Sequence, residues 1–383
     1  MTSSATIAVL PGDATDASGD RGADRAWLAG KSRGEMPRGA VLLHAPSHVF
    51  QAPGGGEVQL VQTGRSLEQC GVVVRPFQPW IDRLEGARLV HLFGLSREGL
   101  ELARVARAAQ VRVVVSPICW YEPRALVALA GGPFRAACHL ARWAVQNALP
   151  RWPRWRRALL GLADAVLPSS HAEAAQLVRL FALDPGRVHV VPNGVEPRFA
   201  TASPDAWLGR FGTEPFVLYA GRIEPRKNVL GLVRAALAAG LPLTVIGDAP
   251  PGRAGYLRDC RSAGAGRVRW LPGLAHADPL LASAYAAARV VALPSWFETP
   301  GLAALEGALA GAAVVVTPYG CTREYFGDLV GYARPDRPAE IARALARAWR
   351  AGPDPRLAPH VAVRFLWSEV ARRTAEVYDQ VAG

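Results

Sequence analysis

Short, continuous apolar runs recur along this sequence, each followed by a stretch with helical spacing, and that alternation confines the chain to one broad class of fold. From Ala40 the runs read AVLLH, VVVRPF, RLVHLF, VRVVVSP, ADAVLPSS and RVHVVPNGV; a second series reads FVLYAG, PLTVIG, RVRWLPG, RVVALPS and AAVVVTP. Runs without polar alternation suit strands covered on both faces, as in parallel sheets. Helical stretches lie between them: a glycine-opened one in GGGEVQLVQTGRSLEQCG, then 98–109, 124–162 and 173–182, then others from Asn228, near Tyr256, from Gly301 and near Glu340. The predicted fold class is therefore α/β, with two Rossmann-like, doubly wound parallel sheets joined by right-handed crossovers.

A chain of 383 residues exceeds what one hydrophobic core usually serves, which agrees with two series of elements. Residues 1–38 lack the periodicity of a packed element and read as a loose tail. A first domain spans 39–200 and a second 201–362. The final segment 363–383, which ends in FLWSEVARRTAEVYDQVAG, carries apolar residues near helical spacing and is expected to pack at the domain junction. In doubly wound sheets ligands sit outside the carboxyl ends of the strands, so the loops after FVLYAG, VIG, RWLPG and VALPS should border one cleft.

Two segments there carry chemistry. In YAGRIEPRKN a glycine, Gly221, turns the chain after a strand and is followed by Arg222 and Lys227, two cations suited to a diphosphate. Lys31 and Lys227 are the only lysines in a chain whose other cations are arginine, which makes Lys227 informative. In ETPGLAALEG, Glu298 precedes a Pro-Gly turn and Glu306 follows on a helix, while the free N–H groups of Gly301 and Leu302 open that helix toward an anion. Read separately, the carboxylates suit ordinary charges near a helix start and the cations a solvated loop.

Together these segments resemble the C-terminal domain of retaining family 4 glycosyltransferases, which carry a G-R-x(4)-K loop and an E-x(7)-E motif. Here these are Gly221-Arg222 with Lys227, and Glu298 with Glu306. The likeness extends over about 40–383 and takes in VVPNGVEPRF, the VIG strand end and RWLPG. It implies the GT-B fold and transfer of a sugar from a nucleoside-diphosphate sugar to an acceptor hydroxyl, on a glycan or lipid-linked saccharide, with retention. Arg222 and Lys227 would bind the donor diphosphate, Glu298 the transferred sugar and Glu306 the ribose, with the backbone near Leu271, Pro272 and Gly273 facing the base. Gly54, Gly55, Gly56 and Glu57 match the family's glycine-rich turn, which lies against diphosphate and acceptor. His91 matches another family position, whereas the histidine often found after the strand VVVSP is replaced here by Cys119 and Trp120.

No cofactor or metal is expected. The chain contains no DxD, and His44 and His48 are separated by Pro46, which denies them a shared helical face. Five cysteines without a CxxC pair suit reduced thiols rather than a disulfide framework. No apolar run reaches the roughly 18–20 residues that span a bilayer, and no signal peptide is evident at the N-terminus; the expected location is cytoplasmic. A net charge of +12 favours anionic partners. The arginine- and tryptophan-rich stretch over 134–160 could dock on an anionic membrane surface through Trp143, Trp152 and Trp155, and nucleic acid is not the expected partner. Two competing readings are a peripheral membrane or nucleic-acid binding protein built on that stretch, and a GT-B epimerase or non-catalytic binding subunit. Retention of both cations and both carboxylates favours an enzyme.

Overall fold

The computed structural model describes residues 27, 28, 30, 37–50, 54–148 and 153–383. In the first domain β1 (Val41–His44), β2 (Val74–Pro76), β3 (Leu89–Phe93), β4 (Arg112–Ser116) and β5 (Ala165–Val166) form a sheet in the order β2-β1-β3-β4-β5. The second sheet contains β6 (Val217–Ala220), β7 (Leu243–Ile246), β8 (Val268–Leu271), β9 (Val290–Leu293), β10 (Ala313–Val316) and β11 (Gly331–Tyr332), ordered β11-β10-β9-β6-β7-β8. Every pairing between these strands is parallel. The central strands are buried at every position, which is why their sequences are mostly Val, Leu, Ile and Ala, with His44, His91, Phe93, Tyr219 and Thr244 the exceptions.

The first domain's helices are α1 (Gly55–Gln69), α2 (Arg97–Ala108), α3 (Pro123–Ala128), α4 (Pro133–Ala148), α5 (Arg154–Leu162) and α6 (His171–Phe181). The second domain has α7 (Asp205–Phe211), α8 (Val229–Ala238), α9 (Ala254–Gly264), α10 (Pro279–Ala287), α11 (Leu302–Leu309), α12 (Thr322–Phe326), α13 (Pro338–Ala351) and α14 (Leu357–Arg364). A last helix, α15 (Trp367–Ala382), returns to the first domain. Its Val370, Ala371, Val377 and Tyr378 join Leu60, Val61 and Leu67 of α1 in one of the two cores flanking the first sheet.

The chain therefore crosses between domains twice, and the crossings are bonded to each other: Val195 N–H donates to the Phe365 carbonyl at 2.7 Å, and Trp367 N–H to that of Val195 at 3.3 Å. A Cβ on Gly194 would lie 2.6 Å from Trp367 Cδ2, so only glycine lets the crossings approach this closely. A buried hydroxyl ties the domains beside them. Tyr325 of α12 donates to the Ser169 carbonyl at 2.7 Å and accepts from Asn193 N–H at 2.8 Å. The Glu324 carboxylate accepts from His171 N–H at 2.8 Å, so the second domain caps α6 of the first.

Two expectations need adjustment, and a third gains detail. RVHVVPNGV is largely extended but forms only isolated bridges, Val166 with Val188 and Val195 with Leu366, because β5 is two residues long and offers little edge to pair with. The helical stretch over 124–162 divides into α3, α4 and α5, in keeping with the prolines that interrupt it. Most of the tail over 1–38 lies outside the described residues, but Trp27 is docked: its indole donates to Glu68 at 3.0 Å and its ring covers Gly64 of α1.

Candidate active site

Strand order reverses direction in each sheet at one place: between β1 and β3 in the first, and between β6 and β9 in the second. Neighbouring strands send their chains to opposite faces at such a switch point, which leaves a crevice at their carboxyl ends. The Gly54 turn precedes α1 in the crossover that starts at β1, the Arg222–Lys227 loop follows β6, and Glu298 follows β9. The candidate site is thus the facing pair of switch points.

The loop after β6 is held from below. Gly221 N–H donates to the Ile246 carbonyl at 3.0 Å, Gly247 N–H to that of Leu271 at 3.1 Å and Ile223 N–H to that of Asp248 at 2.9 Å, so the ends of three adjacent strands are laced together. Gly221 and Gly247 have φ of +145° and +155°, and a Cβ on Gly247 would sit 1.9 Å from the Gly221 carbonyl oxygen. The buried Tyr219 hydroxyl donates to the Arg222 carbonyl at 2.6 Å. A Cβ on Gly273 would meet Asp248 Oδ2 at 2.6 Å, and Pro272 beside it is exposed at the cleft edge.

Lys227 Nζ lies 2.6 Å from Glu298 Oε1, and the two side chains are 16% and 4% exposed. Ser295 Oγ donates to the same oxygen at 2.5 Å. Burial alone would push the Glu298 carboxyl up, but the Lys227 ammonium and Arg226 guanidinium outweigh it and hold the group below its usual range. Glu298 is also fixed by its backbone: its carbonyl accepts from Cys321 N–H at 2.9 Å, and a Cβ on Gly320 would fall 2.0 Å from that carbonyl oxygen. Glu298 consumes one of three ammonium donors on Lys227, which leaves donors for an anion in the cleft.

Arg222 reaches across the cleft. Its Nε and Cζ would lie 3.4 and 3.5 Å from a Cβ placed on Gly54, so the absent side chain there admits the guanidinium. Gly54 precedes α1 and Gly301 (φ +89°) precedes α11. A Cβ on Gly55 would touch Leu302 Cδ1 at 4.0 Å. Two helix N-termini, one from each domain, therefore face each other with Arg222 between them, a field that favours an anion. Gly56 lies inside α1, and Glu57 occupies its first turn, with its N–H donating to the Gly54 carbonyl at 3.1 Å.

Glu306, buried on the second turn of α11, is paired with a residue that the sequence reading passed over. His276 Nε2 is 2.8 Å from Glu306 Oε1 and its Nδ1 is 3.2 Å from Glu196 Oε1 in the first crossing. Burial lowers the His276 pKa, and the hydrogen bond and charge of Glu306, with Glu196, more than reverse this, so the imidazole is held above its ordinary value. Burial raises Glu306, and His276 brings it below the usual carboxylate range. His276 stands alone in GLAHADP with no spacing to reveal it; the acid in VVPNGVEPRF was the only cue in the sequence.

His91 does not join this site. It is 1% exposed, with Nδ1 2.6 Å from the Tyr378 hydroxyl and Nε2 2.9 Å from Ser116 Oγ, and burial pushes its pKa down to about 3. A neutral imidazole saturated by two hydroxyls ties α15 to the first sheet. Among the described residues no group of three His, Cys, Asp or Glu side chains could hold a metal ion.

The model for group 1 glycosyl transferases matches residues 214–351, and that for a glycosyl transferase 4-like domain matches 19–194. D-inositol 3-phosphate glycosyltransferase 1 of Catenulispora acidiphila is 31% identical, over 90% of this chain and 96% of its own. The chain belongs to glycosyltransferase family 4. It is an enzyme with the GT-B fold, and solved structures share that fold. Sucrose-phosphate synthase of Thermosynechococcus elongatus superposes with TM-score 0.69 at 19% identity, over 90% of this transferase and 99% of that chain. Anabaena HepE, solved with UDP and glucose, gives 0.65 at 17%, over 90% and 100%.

Proposed function

We propose that this glycosyltransferase moves a sugar from a nucleoside-diphosphate donor to an acceptor hydroxyl with retention, without a metal. Arg222 and Lys227 hold the diphosphate, Glu298 takes hydroxyls of the transferred sugar, and Glu306 takes the ribose. The backbone at Leu271–Gly273 faces the base, while Gly54–Glu57 lie against diphosphate and acceptor. The observation that carries this reading is the convergence of Arg222, Lys227 and two opposed helix starts on one crevice. As the glycosidic bond breaks, negative charge grows on the leaving phosphate, where preorganised cations and amide N–H groups stabilise it without reorganisation. The leaving phosphate is itself the base that helps accept the acceptor's proton. Glu298, fixed by Lys227 and Ser295, orients the sugar rather than attacking it.

The acceptor is a saccharide, free or lipid-linked. The relative named for D-inositol 3-phosphate adds a phosphorylated polyol to the candidates. The test is protection against thermal unfolding by a panel of UDP-, GDP- and ADP-sugars. A ligand at about a hundred times its Kd adds about 2.7 kcal/mol of stability, a shift that is easily read. One donor class should protect the wild type and fail to protect Lys227→Ala; no protection by any donor would reject the assignment.

A further inference from the structure

Helix α4 is built inside out. Of its sixteen residues only Gln146 is fully buried, whereas Phe134 is 80% exposed, Val145 52% and Leu140 40%. At about 100° per residue, Phe134, Cys138, Ala141 and Val145 form one line, with Ala137, Leu140, Ala144 and Ala148 beside it. That apolar stripe points to solvent, while the inner side rests on Ala136, Trp143 and Gln146. Amphipathic helices normally bury this stripe.

Charge around the stripe is of one sign. No Asp or Glu occurs over 123–163, a stretch that carries seven arginines. Arg135 and Arg142 lie along one border of the stripe, and beyond them a groove of about 490 Å³ is lined by Arg97, Arg142, Pro153, Arg154 and Trp155. A second copy of the chain on this face would set arginines against arginines, because a two-fold interface repeats the same patch. No described helix is long and apolar enough to cross a membrane. A helix of 16 residues, about 24 Å long, with an outward apolar stripe and an arginine border instead suits the plane of an anionic bilayer.

We infer that α4 docks this transferase on an anionic membrane, with Phe134, Leu140 and Val145 entering the acyl boundary and the arginine-lined groove taking lipid phosphates. The tryptophans do not lead: Trp143 and Trp155 are half-buried, and Trp152 lies outside the described residues. The surface adjoins the cleft through α3, which packs on α4 and whose Arg124 guanidinium stacks 4.5 Å above the Tyr319 ring of the second domain. An acceptor held in the same membrane would meet the enzyme on that side.

The experiment is flotation of the full chain with vesicles of phosphatidylcholine alone, or with about one-third phosphatidylglycerol, at physiological salt. The wild type should float with the anionic vesicles and stay behind with the neutral ones. Phe134→Asp should weaken partitioning about tenfold or more, from the apolar burial lost. Arg135→Glu should weaken it by a similar factor, through charge reversal at the surface. Both variants should keep the wild-type melting temperature and donor protection, so failure here is distinguishable from failure of the donor assignment. The inference is overturned if the wild type ignores anionic vesicles, if Phe134→Asp floats as well as the wild type, or if the wild type is a dimer that Phe134→Asp splits.

Discussion

Replacing Lys227 by alanine should destabilise the second domain in a way that acid relieves. The substitution leaves Glu298, 4% exposed, with the Ser295 hydroxyl and the field of the Arg226 guanidinium but without its hydrogen-bonded counter-ion. Removing one partner of a buried ion pair costs about 3–5 kcal/mol, because the remaining charge stays desolvated. Lys227 keeps 16% exposure, which places the expected loss near the lower end, about 3 kcal/mol. For a domain of this size that corresponds to roughly 6–12 °C in the melting transition. In the wild type the folded carboxyl sits below its unfolded value, so its contribution is present above about pH 4.5 and fades as pH falls through the lower folded value. In Lys227→Ala the unpaired carboxyl sits above its unfolded value, and the penalty shrinks as pH falls through it. Calorimetric melts of both proteins from about pH 7.5 to 5 give the comparison. A loss under about 0.5 kcal/mol, or one that stays constant with pH, would mean that the pair is a solvated surface contact and refute the reasoning.

Gly247→Ala should cost more than about 3 kcal/mol, since it needs both a positive φ and a Cβ 1.9 Å from the Gly221 carbonyl; soluble yield and melting temperature check this, and a melt near wild type would contradict it. His276→Gln keeps one bond to Glu306 and loses the charge, for about 1.5 kcal/mol. Because the folded His276 pKa is raised, its contribution is complete below about pH 6.5 and lost as pH rises through the higher folded value. Chemical denaturation across pH should therefore show the two proteins converging in alkali, and a constant gap would contradict it.

Much of the fold was legible because its strands are buried on both faces. VLLH, LVHLF, VLYA and VVAL are almost wholly apolar and do not alternate, which separates them from surface elements, and their recurrence pointed to both sheets. The candidate residues on the loops after β6 and β9 stood out because they follow strand ends, where the backbone must turn and Gly221 marks the turn. What stayed hidden depends on contacts between distant segments. His276 acquires its role only when a loop, a helix and a domain crossing meet; Trp27 sits in a polar stretch and finds its partner on α1. Periodicity over 133–148 defines an apolar stripe, but not that the stripe faces outward. His91 shows the converse: a polar residue at a promising strand end is absorbed by Tyr378, which lies 287 residues away.

The central claim is that a pyrophosphate sits between the two helix starts, within reach of Arg222 and Lys227. A crystal structure with the nucleoside diphosphate of the protecting donor tests it most directly. Phosphate oxygens should lie within hydrogen-bonding distance of Lys227 Nζ, the Arg222 guanidinium and the N–H groups that open α11, with the ribose at Glu306. A nucleotide bound elsewhere, or with its phosphates turned away from these groups, would contradict the account.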